Sequence, residues 1–383
     1  MLKDAARMVR GTAGRGGRYP VRDMRAGVGR GRRGVAGRGA LSLSCATALT
    51  PGVLSVSGCG PETGGPIEVR VELGEPGGAP GQFAYPRCID ADGESLWVID
   101  KTARVQRLDP RTGECLASFR MPEWELGKPV GITAAPFGDP PEPALYIADT
   151  HYHRLMVYRP PTKVDGEATL LASVGRYGKG EGEFIYPTDV AVVTTEGGGV
   201  ERVYVAEYGG NDRVSVFDAR LNFLFAFGAF GSGGGVEFNR PQSIAWEPTR
   251  REIIVADSCN HRVGRFTPEG ALVAWYGSPA HAGAEPGRFR YPYGLAVLPD
   301  RTALVAEFGN SRVQRIDLDT GDALAAYGRA GRGRGELAYP WGVAVLERTV
   351  FVLDSGNGRV LGFDRPSPRT VRAARHDTQG GGG

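Results

Sequence analysis

The stretch IIVADSCNHR, residues 253–262, decides the fold because related phrases occur six times along the chain. Each copy has an apolar run that ends in Asp or Glu, a short loop, and an Arg four to six residues after the acid. The acids and their arginines are Asp100 and Arg104, Asp149 and Arg154, Glu207 and Arg213, Asp257 and Arg262, Glu307 and Arg312, and Asp354 and Arg359. Successive acids lie 47 to 58 residues apart, a period that predicts radial or solenoid repetition of short strands.

Each repeat contains four strand-like runs separated by turn-rich segments. In the fourth repeat these runs are residues 242–246, 252–256, 262–266 and 272–276, and they are rich in Val, Ile, Phe and Tyr. Four antiparallel strands per repeat, repeated around an axis, describe a β-propeller. The sequence therefore predicts an all-β chain with six four-stranded blades.

The two ends of the repeat array predict how the ring closes. The last repeat stops after its third strand, at residues 360–364, and the missing fourth run occurs at the front of the array, in residues 67–86. We therefore expect residues 67–73 to complete the last blade, so that no radial edge stays open. The propeller would span residues 67–364, and the polar, Gly-rich residues 365–383 would form a disordered tail.

The N-terminal segment resembles an export signal. Residues 1–58 contain 11 Lys or Arg and two acids, which leaves 35 basic and 41 acidic residues in the rest of the chain. An Arg-rich stretch precedes an apolar one that ends in Val-Ser-Gly before Cys59, as in the lipobox of bacterial lipoproteins. This predicts a lipidated Cys59 on a linker, residues 59–66, at the cell envelope, with membrane contact only through the anchor. The alternative is a disordered extension from a misassigned start codon.

The repeated phrase, the Pro before each first strand and the Gly-rich spacers resemble the NHL-repeat family over residues 67–364. This resemblance implies a six-bladed propeller. The family includes scaffolding, protein-binding and RNA-binding members and has distant lyase relatives. The fold alone therefore does not select a function.

The six acids could form a ring for a metal or a substrate, but each has its own Arg, so the ring is neutral. We interpret the phrase as structural, with an Arg fork that meets the carboxylate bidentately across the turn. The Asn residues of the loops suit a left-handed turn conformation. They are Asn211, Asn260, Asn310 and Asn357.

Function is expected where the copies differ, at the mouth of the central channel. The residues that follow the repeat prolines are Arg87, Val130, Thr188, Gln242, Tyr293 and Trp341, and one place further on Asp189 is the only acid. Polar groups between aromatic walls are typical of a ligand funnel. Four tyrosines before the prolines could widen this rim or could only pack between blades. They are Tyr85, Tyr186, Tyr291 and Tyr339.

His151 stands where three other repeats have Gly. With His153 and Asp149 it could bind a metal, but two histidines without a third partner are more typical of a solvated loop. No catalytic constellation is evident, and we expect neither a metal nor a cofactor. Cys88 and Cys115 fall on the first and fourth strands of one blade, too far apart for a disulfide, so free thiols are expected.

The favoured function is a non-enzymatic binding or scaffold module, monomeric, that presents its mouth face to a protein, peptide or glycan. A metal-assisted lyase or hydrolase is the alternative, and it would need several His or carboxylate groups converging on the channel. RNA binding is a weaker third possibility, because the chain after the leader is acidic.

Overall fold

The computed structural model describes residues 62–126 and 128–367 of the 383-residue chain. These residues are almost entirely β-strands and turns, and the helical parts are four short 3-10 turns. No helix of this part is long and apolar enough to cross a membrane. The expected leader at residues 1–58, its Cys59 and most of the expected tail lie outside the described residues.

The strands form six blades of four antiparallel strands each, as the sequence predicts. Two strands, β1 (Glu62–Gly65) and β2 (Val71–Leu73), precede the first complete blade. Blade 1 contains β3 (Pro86–Ala91), β4 (Leu96–Asp100), β5 (Arg104–Leu108) and β6 (Cys115–Arg120), from the channel outward. Blade 2 contains β7 (Gly131–Phe137), β8 (Glu142–Asp149), β9 (Arg154–Arg159) and β10 (Thr169–Val174). Blade 3 contains β11 (Tyr186–Thr194), β12 (Val200–Tyr208), β13 (Arg213–Phe217) and β14 (Phe223–Phe227).

A short parallel pair, β15 (Ala229–Phe230) and β16 (Glu237–Phe238), lies between blades 3 and 4. Blade 4 contains β17 (Pro241–Glu247), β18 (Glu252–Asp257), β19 (Arg262–Phe266) and β20 (Leu272–Gly277). Blade 5 contains β21 (Pro292–Val297), β22 (Thr302–Glu307), β23 (Arg312–Asp317) and β24 (Ala323–Tyr327). Blade 6 contains β25 (Val343–Leu346), β26 (Thr349–Asp354) and β27 (Arg359–Asp364), with β2 as its outer strand. The 3-10 turns are Thr150–Tyr152, Ser258–Asn260, Pro279–His281 and Ser355–Asn357.

The second strand of each blade lacks the alternation of a half-exposed strand. Every residue of β4, β18 and β22 is buried. This is because a neighbouring blade covers each face of the strand. One apolar cluster, for example, joins Tyr204 and Val214 of blade 3 to Ile253 and Phe266 of blade 4. Because a blade shares its core with its neighbours, a single blade cannot bury its apolar surface alone.

The ring closes through β2, which confirms the predicted closure. Val71 lies opposite Gly362 and Leu73 opposite Val360 in an antiparallel ladder with β27. The Leu73 side chain is fully buried in the cluster that contains Val360 and Phe83. The last blade is therefore composed of strands from both ends of the propeller.

The sequence predicts a linker at residues 59–66, but the structure has a strand, β1, within this range. Its four residues pair in parallel with β24, with Glu62 opposite Ala325 and Gly65 opposite Tyr327. The outer edge of β24 has unpaired backbone groups that this segment satisfies. The sequence ETGG has no apolar pattern, so periodicity could not indicate this strand.

Each inner strand starts at the same face of the ring, called here the mouth face. The loops between second and third strands and the connectors that join one blade to the next also lie on it, because the chain direction alternates from strand to strand. A buried aromatic or Leu side chain anchors five of these connectors. These residues are Phe83, Phe184, Phe238, Phe289 and Leu337. The mouth face is thus formed by loops fixed at both ends.

Candidate functional site

The central channel contains a cavity of about 270 Å³ that all six inner strands line. Five of the six residues predicted at the mouth line it, namely Arg87, Val130, Gln242, Tyr293 and Trp341. The sixth, Thr188, is fully buried, and its hydroxyl bonds to the carbonyl oxygens of Ala206 and Pro241. Thr188 therefore joins blades and does not line the cavity.

Arg87 lies against aromatic rings. Its guanidinium carbon is 4.8 Å from the centre of the Trp341 ring and 5.7 Å from that of Tyr85. The two rings meet edge to face at 6.0 Å. The Nε of Arg87 is buried without a hydrogen-bond partner among the described residues, as is the indole Nε1 of Trp341. Burial lowers the pKa of Arg87.

A second arginine, Arg240, reaches the same region, although it is not one of the predicted mouth residues. Its guanidinium carbon is 4.8 Å from the ring centre of Tyr208 and 5.6 Å from that of Tyr293. Its Nε donates to the side-chain oxygen of Gln242. The signal was its position: Arg240 precedes the repeat Pro, where four other repeats have Tyr.

The aromatic side chains of the mouth form a connected rim. Tyr293 stacks on Phe308 at 4.7 Å and meets Trp341 at 5.0 Å. Phe308 contacts Tyr339 at 5.0 Å. Tyr85 packs against the cluster between blades 6 and 1, whereas Tyr339 is 53% exposed. Of the tyrosines before the prolines, Tyr85 thus packs between blades and Tyr339 widens the rim.

Asp189 lines the channel and connects two blades. Its carboxylate accepts hydrogen bonds from the Ser243 hydroxyl at 2.8 Å and from the backbone N–H of Ile244 at 3.1 Å. These two hydrogen bonds connect the carboxylate to the next blade. Burial raises the pKa of Asp189 to about 7.

A second acid, Asp90, lines the same cavity, so Asp189 is not the only channel carboxylate. Asp90 accepts a hydrogen bond from the backbone N–H of Ala134 in the next blade, and burial raises its pKa to about 6. Asp90 lies three residues beyond the mouth position Arg87, deeper in the channel than the two positions at which function was expected.

His151 does not line the channel cavity. It lies in the 3-10 turn after β8 and meets the Tyr186 ring edge to face at 5.7 Å. Burial lowers its pKa, and its Nδ1 is buried without a partner among the described residues. His153 is used differently, because its Nδ1 bonds to the carbonyl oxygen of Ile185. Within the described part of the chain, no group of three His, Cys, Asp or Glu is arranged to hold a metal.

The repeated acid and Arg pair in all six copies, with nitrogen to oxygen distances of 2.6 to 3.0 Å. The expected bidentate contact is wrong, because a single guanidinium nitrogen meets the carboxylate in hydrogen bonds such as Arg262 Nε to Asp257. In five copies the other nitrogens donate to backbone carbonyls of the preceding connector, for example those of Gly233 and Glu237. In five copies the acid also accepts a connector N–H, such as that of Asn239. The phrase therefore fixes the connectors that form the mouth face.

The loop Asn residues do not take the left-handed conformation expected of them. The residue before the repeat Arg takes it in five copies: Ala103, His153, His261, Ser311 and Gly358. The Asn amides donate to the repeat acid, as Asn260 does to Asp257 at 2.7 Å. A carboxylate acceptor three or four residues away explains why Asn occurs there.

The cysteines of the described part, Cys88, Cys115 and Cys259, are free thiols. Cys88 is buried beside the channel, and burial raises its pKa well above its usual value. A thiol in that state is a poor nucleophile.

Fold and mouth together define a six-bladed β-propeller whose channel opens between two arginines and an aromatic rim. The propeller carries NHL repeats: the family model of the NHL repeat matches residues 238–266 and 337–363. The first match includes the three inner strands of blade 4, β17 to β19, and the second includes β25, β26 and most of β27 in blade 6.

A segment of 88 residues is 34% identical to peptidyl-glycine alpha-amidating monooxygenase A of Xenopus laevis. The segment is 22% of this chain and 9% of that relative, so the chain spans only a small part of the relative's length. A similar solved structure is a protein of unknown function from Bacteroides thetaiotaomicron, at 16% identity and a TM-score of 0.54, covering 76% of this chain and 75% of that one. Another is Raptor from Chaetomium thermophilum, at 12% identity and a TM-score of 0.52, covering 80% of this chain and 30% of that one. These structural similarities show the shared fold.

Proposed function

We propose that this protein is a binding or scaffold module that engages a protein, peptide or glycan through its mouth face. One observation carries the proposal: six of the ten exposed large apolar side chains in the described residues lie in blade connectors, and the other four lie on outer strands. The six are Trp124, Leu126, Tyr177, Phe230, Tyr291 and Tyr339. The loops of the opposite face hold none of the ten.

This distribution has a physical meaning. Scattered apolar residues on a surface need no explanation, but apolar and aromatic residues gathered on one face are typical of an interaction surface. The same face has Arg87, whose Nε has no hydrogen-bond partner among the described residues. Arg, Trp and Tyr are the residues that contribute most to binding at interfaces. Because the connectors are anchored by buried side chains, the surface is preorganised and loses little entropy on binding.

A photo-crosslinker placed on each face tests the proposal. Benzoylphenylalanine at Tyr339, on the mouth face, should give a specific adduct in the native host. The same residue at the exposed Glu347, on the opposite face, should not. Mass spectrometry of the adduct would show whether the partner is a protein, peptide or glycan. Adducts from Glu347 alone, or from neither position, would contradict the proposal.

We propose further that the propeller is exported and anchored to a membrane surface through Cys59. The support is the Arg-rich and apolar order of residues 1–58 and the Val-Ser-Gly sequence before this Cys. Radioactive palmitate should label the wild-type chain, and the Cys59→Ala variant should stay unlabelled. Cys45→Ala, which removes the other cysteine of this segment, is the matched control and should label like the wild type. Equal labelling of the wild type and Cys59→Ala would rule out the anchor.

A further inference from the structure

Arg87 differs from the six repeat arginines in its charge environment. Each repeat Arg pairs with its own acid. Arg87 is partly buried, its Nε has no partner among the described residues, and no carboxylate is among the groups that most perturb its pKa. Withdrawing a cation from water without a counter-charge costs free energy. An anion bound at this guanidinium would offset that cost.

The aromatic rings hold the Arg87 guanidinium in place. It lies over Trp341 at 4.8 Å, and Trp341 is in turn fixed by Tyr293 at 5.0 Å. Stacking on a ring face occupies the flat side of a guanidinium, and its N–H groups then point outward in the guanidinium plane. That geometry suits a planar acceptor which meets the fork from the edge.

Further donors lie at the same mouth. The indole N–H of Trp341 is buried and unpaired among the described residues, and the Trp341 side chain is only 8% exposed. Arg240 is near enough for its charge to lower the pKa of Arg87. Burial raises the pKa of Tyr208, and the positive charges of both arginines oppose this rise. The mouth therefore offers two guanidinium groups and one indole donor.

Three acids of the mouth and the channel already accept hydrogen bonds from within the fold. Asp212 accepts from the backbone N–H groups of Gly210 and Arg240, and Asp90 accepts from that of Ala134. Asp189 accepts from Ser243 and Ile244. None of the three forms an ion pair with Arg87 or Arg240 among the described residues. The positive charge at the mouth is therefore not neutralised by a salt bridge from within this part of the protein.

We propose that the channel mouth binds a carboxylate group of a peptide ligand, with Arg87 as its main donor and Trp341 and Arg240 as supporting donors. This proposal rests on the mouth face being the binding face. A cavity of about 270 Å³ admits one side chain or one chain end but not a whole drug-sized ligand. The exposed aromatic side chains around it, such as Tyr339 and Tyr291, would contact the flanking residues.

The charge of the protein favours a carboxylate over the phosphates of RNA. The planar Arg fork matches either group, so the fork does not discriminate between them. A polyanion, however, would meet an acidic protein surface, since the chain after residue 58 has more acids than bases. The carboxylate could come from an acidic side chain or from a chain terminus, so the experiment uses one probe for each.

The indole N–H signal of Trp341 in a ¹H–¹⁵N spectrum of the full chain is the reporter, assigned with the Trp341→Phe variant. N-acetylglutamate amide supplies a side-chain carboxylate, N-acetylalanine a terminal one, and N-acetylglutamine amide is the neutral control. One or both carboxylates should shift the signal saturably, and the neutral amide should not. The arm that binds more tightly identifies the source. Inorganic phosphate is the fourth probe.

Arg87→Gln should weaken carboxylate binding about tenfold or more, the usual effect of losing a charge-assisted hydrogen bond. Arg87→Lys keeps the charge without the fork and should bind with intermediate affinity. Arg176→Gln is the matched control, because Arg176 is 82% exposed and should leave binding unchanged. Unchanged urea midpoints would show that the variants are folded.

No saturable shift with either carboxylate, equal shifts with the neutral amide, or a shift with phosphate alone would overturn this proposal. An unchanged affinity in Arg87→Gln would do the same. These results are separable from failure of the mouth face as a binding surface. Crosslinks from Tyr339 without a carboxylate response would mean that the mouth face binds a partner whose recognition does not involve this charge.

Discussion

At the scale of single residues, the two channel acids occupy positions typical of a binding site, but their carboxylates form hydrogen bonds between blades. Asp189 stands out in the sequence as an acid near the mouth, and its carboxylate is hydrogen-bonded to the next blade. Its raised pKa, about 7, follows first from burial, with a further contribution from the charge of Asp90. The protonated form is thus favoured in the folded state relative to the unfolded chain.

Asp189 should make stability fall as the pH rises. Its pKa is about 7 when folded and about 3.9 when unfolded, so between these values the native state holds the extra proton. The unfolding free energy of the wild type should therefore drop between about pH 5 and about pH 8. Asp189→Asn keeps the acceptor without the titration, and its loss over that range should be smaller by about 1–2 kcal/mol.

Urea unfolding at the two pH values measures this difference. The exposed Glu114→Gln removes an acid elsewhere and should leave the wild-type pH dependence unchanged. Parallel pH profiles for the wild type and Asp189→Asn would show that the carboxyl does not titrate in this range.

At the scale of elements, the repeated phrase is a device that attaches a turn to a connector. In blade 4, Asp257 accepts from the Asn239 backbone and from the Asn260 amide, and Arg262 donates to Asp257 and to connector carbonyls. The sequence predicted the pairing because charge and spacing repeat together. It could not predict the backbone contacts, because carbonyls of the Gly-rich connector carry no residue signature.

Breaking one pair should cost much more than removing a surface charge. Arg262 is 4% exposed and Asp257 is fully buried, so Arg262→Met leaves a buried charge without its partner. We expect the unfolding free energy to fall by about 3 kcal/mol or more. The double variant Asp257→Asn/Arg262→Met removes the stranded charge and should recover part of that loss.

Urea unfolding followed by far-UV circular dichroism compares these variants. Arg176→Gln, which breaks an exposed pair with Glu183, is the control and should change the unfolding free energy by about 0.5 kcal/mol or less. If Arg262→Met lost no more stability than this control, the pair would not be structural.

At the scale of the whole molecule, the sequence predicted blade number and closure, because both follow from counting repeats and matching their ends. It placed five of the six mouth residues at the cavity, since strand alternation determines which residues begin an inner strand. It missed Arg240, which lies two residues before that position and contacts Tyr293 at the mouth, and Asp90, which lines the cavity three residues beyond it. It also missed β1, whose pairing depends on a vacant strand edge and on backbone groups alone.

Closure of the ring makes a last prediction about the N-terminal strands. Strand β2 contributes the buried Leu73 to blade 6, and its neighbour Glu72 pairs with Arg359 at 2.8 Å. A chain that starts at residue 74 lacks β2 and leaves the edge of β27 unpaired. It should lose about 3 kcal/mol or more of unfolding free energy and associate through the open edge.

A chain that starts at residue 66 lacks only β1 and is the matched control. Urea unfolding and light scattering measure both effects, and the peptide IEVRVEL, residues 67–73, should reverse them by strand addition. If the two truncated chains had equal midpoints and neither associated, β2 would not close the ring in solution.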